Sequence, residues 1–112
     1  MMMNTSTVTG SYENLDSSRF QQKLATTSDA ILLDVRTEAE FESERIPNSV
    51  NINVTDPSFM EKISLLEKDK TYFVYCRSGG RSGSACSIMS KQGYEVYNLA
   101  GGISNWTGEI IN

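Results

Sequence analysis

Short apolar runs alternate along the chain with segments in which apolar residues recur every three or four positions. The run AILLDV is almost wholly apolar, as is typical of strands that are buried on both faces of a sheet, and TYFVY is rich in β-branched and aromatic residues. Strands and helices that alternate in this way predict a parallel sheet with helices packed on both of its faces. The predicted strands are AILLDV (30–35), VNINV (50–54), TYFVY (71–75) and YEVYNL (94–99).

Helices are predicted around these strands, and residues that favour helix ends mark several of them. Asp16 can cap a helix through SSRFQQKLA, and Thr37 and Glu40 have the spacing of a capping box. Asp56 and Pro57 give an N-cap and a first helical residue to SFMEKISLLEK, which has the most regular helical pattern in the chain. The last helix runs through SGSACSIMSKQG, whose final glycine favours a C-terminal cap.

Composition limits the classes of protein and partner that fit this chain. Its 112 residues indicate one domain, which we expect over residues 12–112, preceded by a flexible arm at residues 1–11. The net charge of −4 and the scattered basic residues predict neither nucleic-acid binding nor attachment to an anionic membrane. No segment has the pattern of a signal peptide or of a bilayer-spanning helix, so a cytoplasmic location is expected.

The chain contains no histidine and two cysteines, Cys76 and Cys86. Without histidine there is no Cys–His catalytic pair and no histidine metal site, and we expect neither a metal nor a cofactor. In a reducing compartment the two thiols are expected to be free. A cysteine enzyme built from this sequence must therefore activate its thiol through other groups.

The loop CRSGGRS (76–82) follows the strand TYFVY and opens the last helix. In parallel sheets, ligands bind beyond the carboxyl ends of the strands, where Cys76 is predicted to lie. The unpaired N–H groups of the helix start and the two glycines can form a concave nest for an anion. Arg77 and Arg81 add positive charge. These features predict a Cys76 thiol with a lowered pKa.

Three stretches in this order resemble the rhodanese family of sulfurtransferases over about residues 12–107: LLDVRTEAEFESERIPNSVNINV, VYCRSGGRSGSACSIMSKQGY and VYNLAGGISNW. The resemblance implies a rhodanese-like three-layer α/β fold with a five-stranded, mostly parallel sheet. It implies that Cys76 takes a sulfane sulfur from a small anionic donor, such as thiosulfate or polysulfide, or from a protein persulfide. The sulfur then passes to cyanide or a thiol, and a sulfur-relay protein also fits as a partner.

The resemblance further assigns roles to residues around Cys76. Asp34 and Arg36 match the family's Asp-x-Arg element, and we expect Arg36 to pair with a carboxylate such as Glu40 or Glu44 and to brace the loops around the site. The resemblance implies that the rest of the loop binds the donor: Arg77, Ser78, Gly79, Gly80, Arg81 and Ser82.

Other activities of related folds fit the loop less well. Cysteine phosphatases use a loop that is one residue longer between cysteine and arginine, and Ser82 stands where a phosphatase needs its arginine. The shorter loop disfavours a phosphatase, while its length alone leaves arsenate reduction open. The main alternative is a sulfur-carrier module that a partner protein loads and that has negligible turnover with small donors. The intact cysteine and loop argue against a non-catalytic domain.

Several further residues have a structural interpretation. Cys86 lies beside the apolar face of the last helix, which predicts packing. The alternate glutamates from 38 to 44 scatter around a helix, which predicts a solvated face rather than a metal site. Many members of the family read His-Ile-Pro-Gly-Ala where this chain has RIPNS (45–49); we expect this departure to alter the local fit or the acceptor. The segment GGISNW (101–106) is expected to be structural and to end the ordered chain.

Overall fold

A computed structural model describes residues 11–112, so the arm expected at residues 1–11 falls almost wholly outside the described residues. Strands and helices alternate along the described chain. In chain order they are β1 (Glu13–Leu15), α1 (Ser17–Thr26), β2 (Ala30–Asp34), α2 (Glu38–Ser43), β3 (Val50–Asn51), α3 (Phe59–Ile63), β4 (Thr71–Tyr75), α4 (Gly80–Lys91), β5 (Glu95–Leu99) and a 3₁₀-helix (Ile103–Asn105).

The five strands form one parallel sheet in the order β1-β5-β4-β2-β3. Central β4 pairs along its whole length with β2 and along Thr71–Val74 with β5. The parallel α/β architecture with five strands is therefore confirmed. Of the helices within residues 11–112, none has the length and apolar character that a bilayer crossing requires.

Side chains of β4 alternate between two apolar clusters, one on each face of the sheet. Tyr72 and Val74 pack with residues of α3 and α4, whereas Phe73 and Tyr75 pack with Phe20 of α1. All five residues of β4 are buried, which explains why the run has no charged position. Cys76 continues the face of Tyr72 and Val74 and belongs to the cluster that includes α4.

Local sequence signals are confirmed at most element ends. The strands predicted at 30–35, 71–75 and 94–99 agree with β2, β4 and β5 to within one residue. Asp16 caps α1 by accepting the Arg19 N–H at 2.9 Å, and Thr37 and Glu40 form both bonds of the capping box. Gly93 follows α4 with a φ of +94°, the left-handed conformation that a C-terminal glycine provides.

Two predictions for strands and helices are wrong in extent. The strand predicted at 50–54 contains only Val50–Asn51, and the edge strand β1 was not predicted because only one of its three residues is buried. The helix predicted after Asp56 and Pro57 is only α3, Phe59–Ile63. The carboxylate of Asp56 accepts both the N–H and the hydroxyl of Ser58, which favours a turn in place of the first helical residues.

The ordered chain also continues beyond GGISNW, contrary to the prediction. Arg45 and Ile111 exchange two backbone hydrogen bonds of 2.8 Å in an antiparallel bridge. The Arg45 guanidinium lies over the ring of Phe41, 4.9 Å from its centre. Arg45 therefore stacks on α2 and holds the C-terminal segment. Asn48 adopts the left-handed φ of +69°, a conformation that asparagine tolerates better than most residues.

Candidate active site

Cys76 lies directly after the central strand β4, at the point where the chain turns into α4. Gly79 makes the turn with a φ of +104°, which favours glycine. The Gly79 carbonyl accepts the Gly83 N–H as the first helical bond of α4, so the N–H groups before Gly83 face the space at the helix start. The Cys76 sulfur lies against this start.

The Cys76 sulfur is nearly closed off from solvent and accepts two hydrogen bonds. The exposed fraction of the residue is 1%, the Gly79 N–H donates to Sγ at 3.1 Å, and the Ser82 hydroxyl donates at 3.3 Å. Both donors belong to the loop itself. The predicted loop residues thus divide: Gly79 and Ser82 converge on the sulfur, whereas Ser78 and Gly80 lie on the exposed surface of the loop.

These hydrogen bonds decide the acidity of the thiol. Burial alone would raise the pKa of Cys76, because it penalises the thiolate. The Ser82 hydroxyl and the backbone N–H groups of Ser82, Gly79 and Ser78 outweigh burial and bring the pKa of Cys76 below its ordinary value. The loop backbone and one hydroxyl are therefore the main activating groups in a chain without histidine.

The rear of the loop is held by the segment that follows β5. The N–H of Ile103 donates to the Cys76 carbonyl at 2.9 Å, and the Ser104 N–H and hydroxyl donate to the Arg77 carbonyl at 3.0 and 2.7 Å. A Cβ on Gly102 would clash with the Arg77 carbonyl group and lie 2.6 Å from the Ser78 nitrogen. The glycine is required for this close approach, which leaves the loop N–H groups free to face the sulfur.

Asn98, near the end of β5, supports the same turn from the other side. It is 4% exposed, and its Nδ2 donates to the Asn14 side chain at 2.8 Å and to the Gly79 carbonyl at 3.3 Å. The contact joins the two strands β1 and β5 to the start of α4. Asn98 therefore helps to fix Gly79, the residue whose N–H reaches the Cys76 sulfur.

Arg81 is paired across the site with Glu40 of α2. Its Nη1 and Nη2 donate to the two carboxylate oxygens at 2.8 and 3.0 Å. Hydrogen bonding from Arg81 is the first cause that lowers the pKa of Glu40, to about 2. The prediction that the glutamates from 38 to 44 form a solvated face is therefore wrong for Glu40, because its carboxylate forms a bidentate ion pair with Arg81.

Asp34 and Arg36 form a buried ion pair at the end of β2. The guanidinium donates to both carboxylate oxygens at 2.7 to 3.1 Å, and its Nη2 also donates to the Glu44 backbone carbonyl at 2.6 Å. The predicted pairing of Arg36 with the carboxylate of Glu40 or Glu44 is wrong. Asp34, only two residues earlier, is within easier reach, and Arg36 connects the carboxyl end of β2 to the end of α2.

Arg77 is exposed at the rim of the site. Within residues 11–112 its side chain forms no ion pair. Together with residues of α2 and of the 3₁₀-helix it lines an open cavity of about 510 Å³. The other lining residues are Arg36, Ala39, Glu40, Ser43, Glu44, Ile103 and Ser104.

Cys86 has the packing environment that its helix position predicts. It is fully buried in the apolar cluster between α4 and the sheet. Burial, and then the neighbouring Cys76, raise the pKa of Cys86 to about 12. Across the described part of the chain, no three acidic or sulfur side chains come together as a group that could hold a metal ion.

Sequence reasoning missed three residues that shape the site, Asn98, Gly102 and Ser104, and it gave Glu40 the wrong partner. Their contacts with the loop join positions 19 to 41 residues apart, a distance over which helix and strand periodicity carries no information. One signal was present. The capping box placed Glu40 at the start of α2, just after β2. Residues that follow the carboxyl ends of neighbouring parallel strands lie close together, so Glu40 could have been expected near the loop after β4.

Comparison with known proteins supports the resemblance to the rhodanese family. A family model described as "Rhodanese-like domain" matches residues 16–109. A protein of Allochromatium vinosum named sulfurtransferase is 41% identical over 95 residues, which cover 82% of this chain and 85% of that protein. The adenylyltransferase and sulfurtransferase MOCS3 of Drosophila virilis is 34% identical over 96 residues, which cover 80% of this chain and 21% of that protein.

A solved structure shares the fold as well. The crystal structure of a rhodanese-related protein from Thermoplasma volcanium matches with a TM-score of 0.79 and 29% identity, and the match covers 89% of this chain and 98% of that one. The parallel sheet, the cysteine loop after its central strand and the sequence similarity all point to the same family. The chain therefore belongs to the rhodanese-like domain family, whose members related to it over most of its length include sulfurtransferases.

Proposed function

We propose that this protein transfers sulfane sulfur through a persulfide on Cys76, as an enzyme with thiosulfate, polysulfide or a protein persulfide as donor. The observation that carries the proposal is the pair of hydrogen bonds from Gly79 and Ser82 to the Cys76 sulfur. They stabilise the thiolate form of a buried sulfur, which a packing cysteine does not need. A thiolate is the nucleophilic form of cysteine.

The first half-reaction loads the sulfur. The Cys76 thiolate attacks the outer sulfur of the donor, a new S–S bond forms, and the bond inside the donor breaks. Its electron pair leaves with sulfite when the donor is thiosulfate, or with a thiolate when the donor is a persulfide. Loop N–H groups at the start of α4 face the anionic outer sulfur and stabilise the persulfide.

The second half-reaction releases the sulfur. Cyanide or an acceptor thiolate attacks the outer sulfur, and the bond to Cys76 breaks with its electron pair on the cysteine. The hydrogen bonds from Gly79 and Ser82 favour this step too, because they stabilise the Cys76 thiolate as the leaving group. The same donors therefore serve both directions of the cycle.

Phosphatase chemistry fits the site less well. Arg81 follows Cys76 after four intervening residues, and its guanidinium already binds the carboxylate of Glu40. A phosphate dianion would have to displace that carboxylate. The sulfur-carrier role is the stronger alternative, because the similar protein MOCS3 is named both an adenylyltransferase and a sulfurtransferase, which suits a sulfur site that works beside a second activity. In that role a relay protein would load Cys76 in the cytoplasm.

Mass spectrometry tests the proposal. The wild-type protein and two variants, Cys76→Ser and Cys86→Ser, are incubated with thiosulfate or polysulfide, and cyanide is then added. We expect one added sulfur atom on the wild type and on Cys86→Ser, none on Cys76→Ser, and release of thiocyanate after cyanide. Loading without repeated turnover would favour the carrier. Absence of loading from every donor, with the fold retained, would overturn both forms of the proposal.

A further inference from the structure

The ion pair between Arg81 and Glu40 joins the loop that follows Cys76 to the open cavity at the rim of the site. Both side chains are about one-third exposed, at 32% and 30%, and Glu40 lines the cavity beside Arg77. Both terminal nitrogens of the guanidinium are bound to the carboxylate. Arg81 thus presents to an incoming anion a charge that a neighbouring carboxylate cancels.

Glu40 is held in this position by its own helix. The Thr37 N–H and hydroxyl both donate to Oε1 at 3.0 Å, as part of the capping box of α2. The Arg81 hydrogen bonds, with those from Thr37, keep the pKa of Glu40 at about 2, so the carboxylate is charged at any neutral pH. The cancellation is therefore a permanent property of the site.

Charge balance then separates the classes of donor. A thiosulfate dianion and the Cys76 thiolate bring three negative charges together, and a persulfide anion and a sulfite dianion leave with the same total. A thiol persulfide in its protonated form, R–S–S–H, brings only the one charge of the thiolate. Coulomb repulsion grows with the product of the charges, so the first reaction depends far more on nearby unpaired cations. Of the two loop arginines, only Arg77 lacks an ion pair within residues 11–112.

We propose that Glu40 is a specificity-determining residue, which neutralises Arg81 and so selects donors that release a thiolate over donors that release a doubly charged oxyanion. The inference rests on the proposed sulfur transfer and names its donor class as thiol persulfides, of a small molecule or of a protein. In the favoured step, the Cys76 thiolate attacks the outer sulfur of R–S–S–H. The Cys76–S bond forms, the donor S–S bond breaks, and R–S⁻ leaves with the electron pair while the outer sulfur keeps its proton.

The variant Glu40→Gln tests this role with little change in structure. Glutamine keeps an oxygen for the Thr37 N–H, so the capping box is preserved while the charge is lost. The matched control is Glu42→Gln, which removes one charge from an exposed position of the same helix outside the cavity. Circular dichroism verifies the fold of each variant.

Single-turnover loading of Cys76 is measured by mass spectrometry, with thiosulfate and with the persulfide of 2-mercaptoethanol as donors, both at a pH low enough to keep the persulfide protonated and uncharged. We expect Glu40→Gln to raise the loading rate from thiosulfate about tenfold, the effect of one surface charge on a nearby dianion. Loading from the uncharged persulfide should stay within about twofold, and Glu42→Gln should leave both rates within about twofold. Adding Arg81→Gln to Glu40→Gln should abolish the gain, because the effect acts through Arg81.

The outcomes separate this inference from the proposed function. An unchanged ratio of the two loading rates in Glu40→Gln, or an equal fall of both rates, would overturn the specificity role while leaving sulfur transfer intact. A gain that persists without Arg81 would overturn it as well. Failure of the wild type to load from either donor would instead refute the sulfur transfer on which the inference rests.

Discussion

Cys76 and Cys86 belong to one apolar cluster and are equally hidden from solvent, with exposed fractions of 1% and 0%. Burial raises the pKa of Cys86 to about 12. Burial acts in the same direction on Cys76, yet hydrogen bonds from Ser82, Gly79 and Ser78 bring its pKa below the ordinary value. The two thiols therefore differ in their hydrogen-bond donors and hardly at all in their burial.

This difference follows from the places of the two residues in the fold. Cys76 precedes α4, where the first N–H groups of the helix have no partner within the helix. Cys86 lies inside α4, where each N–H is bound to a carbonyl one turn earlier. A strand-to-helix turn thus supplies donors that a helix interior cannot, and one chain can hold a reactive thiol and an inert thiol only ten residues apart.

Of the variants that should weaken the activation of Cys76 and leave Cys86 unchanged, Gly102→Ala should have the largest effect on Cys76 loading. The new Cβ would clash with the Arg77 carbonyl group, and the residue has a φ of +63°. We expect a loss of about 1–3 kcal/mol in the free energy of unfolding and a fall of about 100-fold in Cys76 loading, since the loop must move. Thermal unfolding and mass spectrometry measure the two effects.

The control for this prediction is Gly93→Ala. Gly93 also has a positive φ, of +94°, but a Cβ there would have no neighbour within 4 Å, and the residue lies at the far end of α4 from the loop. It should lose stability while Cys76 loads at the wild-type rate. If Gly102→Ala loaded at the same rate as Gly93→Ala, the close approach of residue 102 would not shape the loop.

A smaller effect is expected from Ser82→Ala, which removes one donor to the sulfur. A hydrogen bond to a charged group is worth about 1.5–3 kcal/mol, so alkylation of Cys76 near neutral pH should slow about tenfold. Ser90→Ala is the matched control, because Ser90 is a buried serine of the same helix whose hydroxyl binds the Ser87 carbonyl instead. Equal rates in the two variants would show that the Ser82 hydroxyl does not stabilise the thiolate.

The sequence predicts those parts of the molecule that depend on near neighbours. The β-branched and aromatic run before Cys76 predicts a strand, and the glycines and the helical pattern after it predict the turn and α4. Thr37 and Glu40, three positions apart, predict the start of α2 because their side chains form a capping box. In each case the physical cause, which is burial on both faces or a local hydrogen bond, acts within a few positions of the chain.

Contacts between distant parts of the chain could not be predicted in this way. The pairing of Arg81 with Glu40, 41 positions away, depends on the neighbouring positions of β2 and β4 in the sheet. The bridge from Arg45 to Ile111 and the edge strand β1 depend on backbone pairing. Each involves three residues or fewer on a strand, which is too short a run to show the alternation of apolar and polar residues that marks a strand. The sequence predicts the direction of the Cys76 pKa shift, but it does not predict the carboxylate that pairs with Arg81.

The most direct test of the central claim is the pH dependence of Cys76 alkylation by iodoacetamide, followed in the Cys86→Ser variant. The rate follows the thiolate fraction, and a lowered pKa makes the thiolate predominant at a lower pH. The account predicts a midpoint below the value of about 8.5 for a free thiol, and a shift to higher pH in Ser82→Ala. A midpoint at or above that of a free thiol would contradict it, because burial would then outweigh the hydrogen bonds of the loop.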